Sequence, residues 1–194
     1  DTFVAAIAAI RAADPAARVV GPSMAFLPPA SAPEVLAWVD ALAAKGAHLD
    51  GFSWHAFSGL GDAAKIAELA RAHFASHPEV CVPACPELHV NEYSPSVTDH
   101  VPAWSLAHLA ELGAAEVDWV SKACWDVPTG GGTTSGCGHG LGGLFLTDGS
   151  TPQPSFHLHR AFAQLTSQAI VTTVDGRVVV AGRDKDGTSR LLVG

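Results

Sequence analysis

The stretch ELHVNEYSPS, Glu87 to Ser96, sets two carboxylates, a histidine, an asparagine and the chain's single tyrosine around a short apolar centre. Its alternation reads as a β-strand, with Leu88, Val90 and Glu92 on one face and His89, Asn91 and Tyr93 on the other. Glu92 thereby ends an otherwise apolar row. An unpaired carboxylate is costly there, so it needs a partner or a chemical role. Glu87 opens the strand and reads as a structural or solvated acid. Helical periodicity flanks the strand on both sides, in DAAKIAELARAHFASH (62–77) and PAWSLAHLAELGA (102–114).

Working outward, the same alternation repeats. TFVAAIAAIRAA (2–13) is an Ala-rich helix stopped by Asp14-Pro15, and ARVVGPS (17–23) is a short buried strand. SAPEVLAWVDALAAKGA (31–47) is a helix with Ser31 as its N-cap and Gly46 just past its end, and LDGFSWHAF (49–57) is the next strand. VDWVSKACW (117–125) supplies a fourth strand, and PSFHLHRAFAQL (154–165) a last helix after the Gly-rich loop TGGGTTSGCGHGLGG (129–143). That loop lacks the spacing of a dinucleotide fingerprint. After Thr166 the chain turns β-branched, with Asp175-Gly176 and Asp186-Gly187 as turn signals, so short antiparallel strands are expected. The sequence RDKDGTSRLL (183–192) lacks the later ligands of a calcium loop and reads as a hairpin turn.

Composition bounds the function. The 194 residues are 48% hydrophobic and 15% charged, which fits a globular domain with a real core. A formal charge of −8 argues against nucleic acid and anionic membrane as partners, since both demand clustered Lys and Arg. No apolar run approaches the roughly 20 residues of a membrane helix. The chain opens on a helix without an initiator Met or a signal-peptide pattern, so a mature or truncated product is expected. Four cysteines, Cys81, Cys85, Cys124 and Cys137, lean towards a secreted or extracytoplasmic setting.

Chemistry collects at the strand ends: Ser23, then Trp54 and His55, then Asn91, Glu92 and Tyr93, then Trp125 and Asp126. Parallel α/β folds place functional residues at the carboxyl ends of their strands. Four successive strands serving one rim favour a barrel over a crevice, and aromatic rings there suit the C–H faces of sugars. In order, RVVGPS, LDGFSWHAF, VNEYS and KACWD resemble the second half of a clan A retaining glycoside hydrolase, with glycoside hydrolase family 39 the nearest likeness. The resemblance spans residues 1–166. It implies the C-terminal half of a (β/α)8 TIM barrel, strands five to eight, with 167–194 beginning a small antiparallel β-domain.

The resemblance also implies a function: cleavage of an oligosaccharide or glycoside through a covalent glycosyl-enzyme, with no cofactor and no metal. Glu92 falls at the nucleophile position, and His55 where a substrate- or nucleophile-contacting histidine is expected. Asn91, Trp54 and Tyr93 are further candidates to line a sugar pocket, although His55, Trp54 and Tyr93 also suit plain packing. Trp125 is the candidate stacking platform, and Lys122 and Asp126 are weaker ones. Such enzymes carry their acid/base in an Asn-Glu pair on an earlier strand. The one Asn-Glu pair here is Asn91-Glu92, so the partner is expected in a missing N-terminal half of the same chain. Residues 1–194 alone are then expected to lack normal turnover. A non-catalytic sugar-binding barrel and a metal-dependent hydrolase are the alternative readings. For the latter, His73, His77, Cys81 and Cys85 recur every four residues and suit tetrahedral zinc. Pro78 interrupts that set, which favours two exposed histidines and either a Cys81–Cys85 bridge or free thiols. Cys124–Cys137 is a feasible second pair.

Overall fold

A computed structural model of the chain describes residues 2–57, 59–93, 100–122, 128–129, 132–133, 144–146, 148, 150–165, 170–174 and 177–194. Its helices are α1 (Thr2–Ala13), α2 (Ala32–Ala43), α3 (Asp62–Ser76), α4 (Pro102–Ala114) and α5 (Pro154–Phe162). Its strands are β1 (Val20–Met24), β2 (Gly51–Ala56), β3 (Glu87–Tyr93), β4 (Trp119–Lys122), β5 (Pro128–Thr129), β6 (Gly132–Thr133), β7 (Ile170–Val174), β8 (Arg177–Arg183) and β9 (Ser189–Val193). Two compact units are present, Asp1–Asn91 with Ala115–Ser121, and Glu92–Ala114 with Lys122–Gly194.

Strands β1 to β4 form one parallel sheet in the order β1-β2-β3-β4, and β7-β8-β9 form a separate antiparallel sheet. The expected half-barrel, strands five to eight of a (β/α)8 fold, is therefore corrected. The parallel sheet is open, with β1 and β4 as its outer strands among the described residues. Alternating helices and strands dictate parallel pairing, and short right-handed connections keep neighbours adjacent. Closure depends on strand number and shear, which no local pattern encodes.

In the first unit the two faces of the sheet differ in chemistry. A Cβ built on Gly51 would lie 2.9 Å from His89 Nε2, so Gly51 and His89 share a face. Ser53 and Asn91 follow them two residues on along β2 and β3. The opposite face carries Phe52, Trp54, Leu88 and Val90, all buried. It meets the helical layer, where Phe52 packs edge-on against Phe74 of α3 at 6.3 Å between ring centroids. Gly51→Ala is expected to destabilise the fold by about 1–3 kcal/mol, because the added methyl overpacks against His89 and Val20. Chemical denaturation of the variant checks this.

The strand starts are tied by carboxylates. Asp50 Oδ2 accepts a 2.6 Å bond from the Val19 amide and a 3.1 Å bond from Arg11. Asp118 Oδ2 likewise accepts from the Leu88 amide at 2.8 Å. Glu87 receives Arg18 at 2.8 Å, Trp119 Nε1 at 2.8 Å and His89 Nε2 at 3.1 Å. The hydrogen bond from Arg18, ahead of the others, holds the Glu87 carboxyl below its usual range. Glu87 is a structural acid at the amino ends of the strands.

The helix ends follow the sequence in part. Gly46 closes α2 at φ 72°, with the Ala47 amide bonded back to Leu42 at 3.0 Å, the left-handed stop that glycine favours. Ser31 does not cap α2 with its side chain. It ends a 3-10 turn at φ −95°, ψ −7°, outside the extended conformation that a cap requires.

In the second unit Leu106 and Ala110 of α4 pack with Val180 of β8, surrounded by Leu158, Phe162, Leu165, Val178 and Leu192. Strand β8 is central, pairing Val179 with Thr172 of β7 and Val180 with Leu192 of β9. The RDKDGTSRLL segment forms the expected hairpin, with Gly187 at φ 84°.

Candidate active site

The end of β1 is bent out of regular pairing. Pro22 pairs with Ser53 and Met24 with Trp54, which leaves Ser23 as an extra residue in the ladder. Ser23 sits at φ 57°, the left-handed region that a non-glycine residue seldom occupies. The bulge aims its side chain across the sheet. Ser23 Oγ lies 3.1 Å from Ser53 Oγ and accepts a 2.6 Å bond from Asn91 Nδ2, while the Ser23 amide donates to Ser53 Oγ at 3.0 Å. One polar network thus joins the carboxyl ends of β1, β2 and β3 within the first unit. Backbone strain of this kind concentrates where a side chain must be placed for a purpose.

His55 is half-buried, edge-on to Phe57 at 5.4 Å between centroids. Trp54 is 0% exposed and lies in the core beside Phe52, the rings tilted at 36° with centroids 5.7 Å apart. Glu92 is half-buried at the penultimate position of β3. Burial along β3 alternates up to Val90 and then loses phase, since Asn91 and Glu92 are both half-buried and Tyr93 is buried. Glu92 therefore does not simply continue the buried row of Leu88 and Val90. The break falls where β3 passes from the first unit into the second. Trp125, Asp126, Cys124 and Cys137 lie outside the described residues.

Within the second unit Tyr93 is 2% exposed and its hydroxyl meets His159 Nε2 of α5 at 2.8 Å. His159 Nδ1 lies 2.7 Å from the Ser155 carbonyl, which can only accept. The proton therefore sits on Nδ1, Nε2 is the acceptor, and Tyr93 donates. Burial drives the Tyr93 hydroxyl far above its ordinary value, so it stays a donor. Lys122 Nζ stands 5.8 Å from the Tyr93 ring centroid, and His108 of α4 lies 6.2 Å from it between centroids.

Burial lowers both His108 and His159 below the ordinary 6.5. The unfolded chain thus binds protons at these rings at a higher pH than the folded chain, and stability falls as pH drops through about 6.5. Melting temperatures taken between pH 7.5 and 5.5 should fall, and His159→Gln should shrink that fall. A melting temperature independent of pH over this interval would contradict the assignment.

The cysteine–histidine set divides. Cys81 and Cys85 form a disulfide, which removes both thiolates from any metal. His73 and His77 are half-buried rather than exposed, because α3 turns them towards Asp40 of α2. Sequence reading passed over Ser53 and His159. The sign of Ser53 was a polar residue inside the apolar run of β2, whereas His159 on α5 carried no local sign of a partner 66 residues away.

No protein-family model matches the chain, and no curated protein does. Among solved structures, N2152 from Neocallimastix frontalis is similar at 15% identity and a TM-score of 0.76 over 99% of this chain and 46% of that one. A glucosidase from Croceicoccus marinus is similar at 23% identity and a TM-score of 0.68, over 99% of this chain and 42% of that one. The chain thus shares its fold with a glucosidase and spans less than half the length of either of these proteins.

Proposed function

We propose that this chain contributes the nucleophile of a retaining glycoside hydrolase of the kind its sequence resembles. The observation that carries the reading is the place of Glu92. It is the penultimate residue of a parallel strand, next to Asn91, whose amide is anchored to the strained Ser23 of β1. Likeness in fold to a glucosidase supports a sugar substrate. In the reaction the Glu92 carboxylate attacks the anomeric carbon and the glycosidic C–O bond breaks. The leaving oxygen takes a proton from a second carboxyl group, and water then hydrolyses the glycosyl ester. That second group, about 5–5.5 Å from the first in retaining enzymes, is supplied from outside these 194 residues, by an N-terminal part of the same protein. The resemblance gives His55 a substrate-side role and Trp125 that of a stacking platform for a sugar ring. The Cys81–Cys85 disulfide supports an oxidising, extracytoplasmic setting.

A 2-fluoro glycosyl fluoride tests the reading. Fluoride leaves without a general acid, so trapping reports on the nucleophile alone. Peptide mass mapping of the full-length protein should find the sugar on Glu92. Label on another carboxylate overturns the assignment, and sugar binding without any label favours a carbohydrate-binding module instead.

A further inference from the structure

A side-chain cluster on the helical layer of the first unit has no part in the proposed glycosidase chemistry. Asp40 stands in the last turn of α2, His73 in the last turn of α3, and His77 one residue beyond α3. One ligand atom from each lies within 4.8 Å of the other two. His73 Nε2 is 2.8 Å from Asp40 Oδ1, His77 Nε2 is 4.0 Å from Asp40 Oδ2, and the two imidazoles stack at 4.0 Å between centroids.

The His77 tautomer is fixed by its surroundings. Its Nδ1 lies 3.0 Å from the His73 carbonyl, which can only accept, and 3.0 Å from Ser76 Oγ, whose own proton goes to the Ala72 or His73 carbonyl. Nδ1 is therefore the donor to both, and Nε2, 4.0 Å from Asp40 Oδ2, keeps its lone pair. A ring nitrogen whose partner nitrogen donates to a carbonyl is the usual arrangement of a metal-bound histidine. A hydrogen bond to Asp40 needs His73 alone. The stacking of His77 and the direction of its lone pair exceed that need. Both helices also end here, and their carbonyl ends favour a cation.

We propose that Asp40, His73 and His77 form a divalent transition-metal site of the zinc class, clipping α2 to α3. Two imidazoles and one carboxylate suit zinc and exclude the all-oxygen preference of calcium or magnesium. Bonds of about 2.0–2.2 Å at tetrahedral angles need donors roughly 3.4 Å apart, within a small side-chain rotation of the spacing present. On binding, His73 moves its proton from Nε2 to Nδ1 and stays neutral, and its Nε2 and the Asp40 carboxylate turn to the ion. Water completes the fourth position. The site involves no strand end, so its test is independent of the glycosidase reading.

The chain, stripped with chelator, is titrated with Zn2+ alone in calorimetry, and its melting temperature is followed with and without the ion. One equivalent should bind at micromolar affinity or tighter, raise the melting temperature, and give a four-coordinate spectrum when Co2+ replaces Zn2+. Asp40→Asn keeps an oxygen to accept from His73, so the metal-free fold should stand, yet affinity should fall at least about 10-fold. His77→Gln should lower it further, whereas the exposed His157→Gln should leave it unchanged. Absence of binding by the unsubstituted chain at millimolar Zn2+ overturns the site. Unchanged binding in Asp40→Asn overturns it as well, whatever the folding of the histidine variant.

Discussion

Glu92→Gln is expected to abolish covalent trapping and to lower turnover of the full-length protein by more than about 10³-fold. An amide retains the size and part of the hydrogen bonding of the carboxylate but cannot form the glycosyl ester. The loss should therefore fall on kcat with the melting temperature nearly unchanged. Glu92→Gly separates chemistry from packing. Added azide should enter the space left by the side chain, attack the anomeric carbon and restore cleavage, with a glycosyl azide of inverted configuration as product. A residue that merely supports the strand would show no such rescue. Glu87→Gln is the internal contrast. Its carboxylate serves Arg18, Trp119 and His89 at the strand starts, so that variant should melt earlier and keep its kcat. If Glu87→Gln stopped turnover and Glu92→Gln did not, the two acids would have to exchange roles.

The sequence made the parallel strands legible because each carries a local signature. Apolar runs end in polar residues at Ser23, His55 and Glu92, and helices of regular period lie between them. The antiparallel tail was equally visible in its β-branched residues and its Asp186-Gly187 turn, where Gly187 takes φ 84°. What local pattern lacked was closure, so an open sheet stands where a half-barrel was expected. The burial of Glu92 does not follow from its place in the row. Leu88 and Val90 are buried whereas Asn91 and Glu92 are both half-buried, so burial stops alternating at Asn91, the last residue of the first unit on β3. The bulge at Ser23 was hidden for a similar reason, since register is a property of two strands and the letters GPS belong to one. The strand-start acids also carry a local signature. Asp50 and Asp118 each stand immediately before a strand and each bind the amide of a neighbouring one, at Val19 and Leu88.

Trp54 tests how far a strand-end aromatic can be read as a sugar contact. The side chain is 0% exposed, packed beside Phe52 and, through it, against Phe74 of α3. Trp54→Ala should therefore cost about 3–5 kcal/mol of stability, from lost transfer energy and the cavity left behind. Trp54→Phe behaves differently. The indole Nε1 is buried and has no hydrogen-bond partner among the described residues, an arrangement that costs about 1–3 kcal/mol. Replacing the indole by a phenyl ring removes that penalty and opens a smaller cavity, worth about 1 kcal/mol. The two nearly cancel, so Trp54→Phe should unfold within about 1 kcal/mol of the natural chain. Denaturant titration of both variants gives the comparison, with sugar affinity of the folded Phe variant measured beside it. A large loss of affinity in a fully stable Trp54→Phe protein would return the indole to the substrate, and its N–H would then have found its missing partner in a sugar hydroxyl. Equal affinity would leave Trp54 as core, and the stacking role would rest on Trp125.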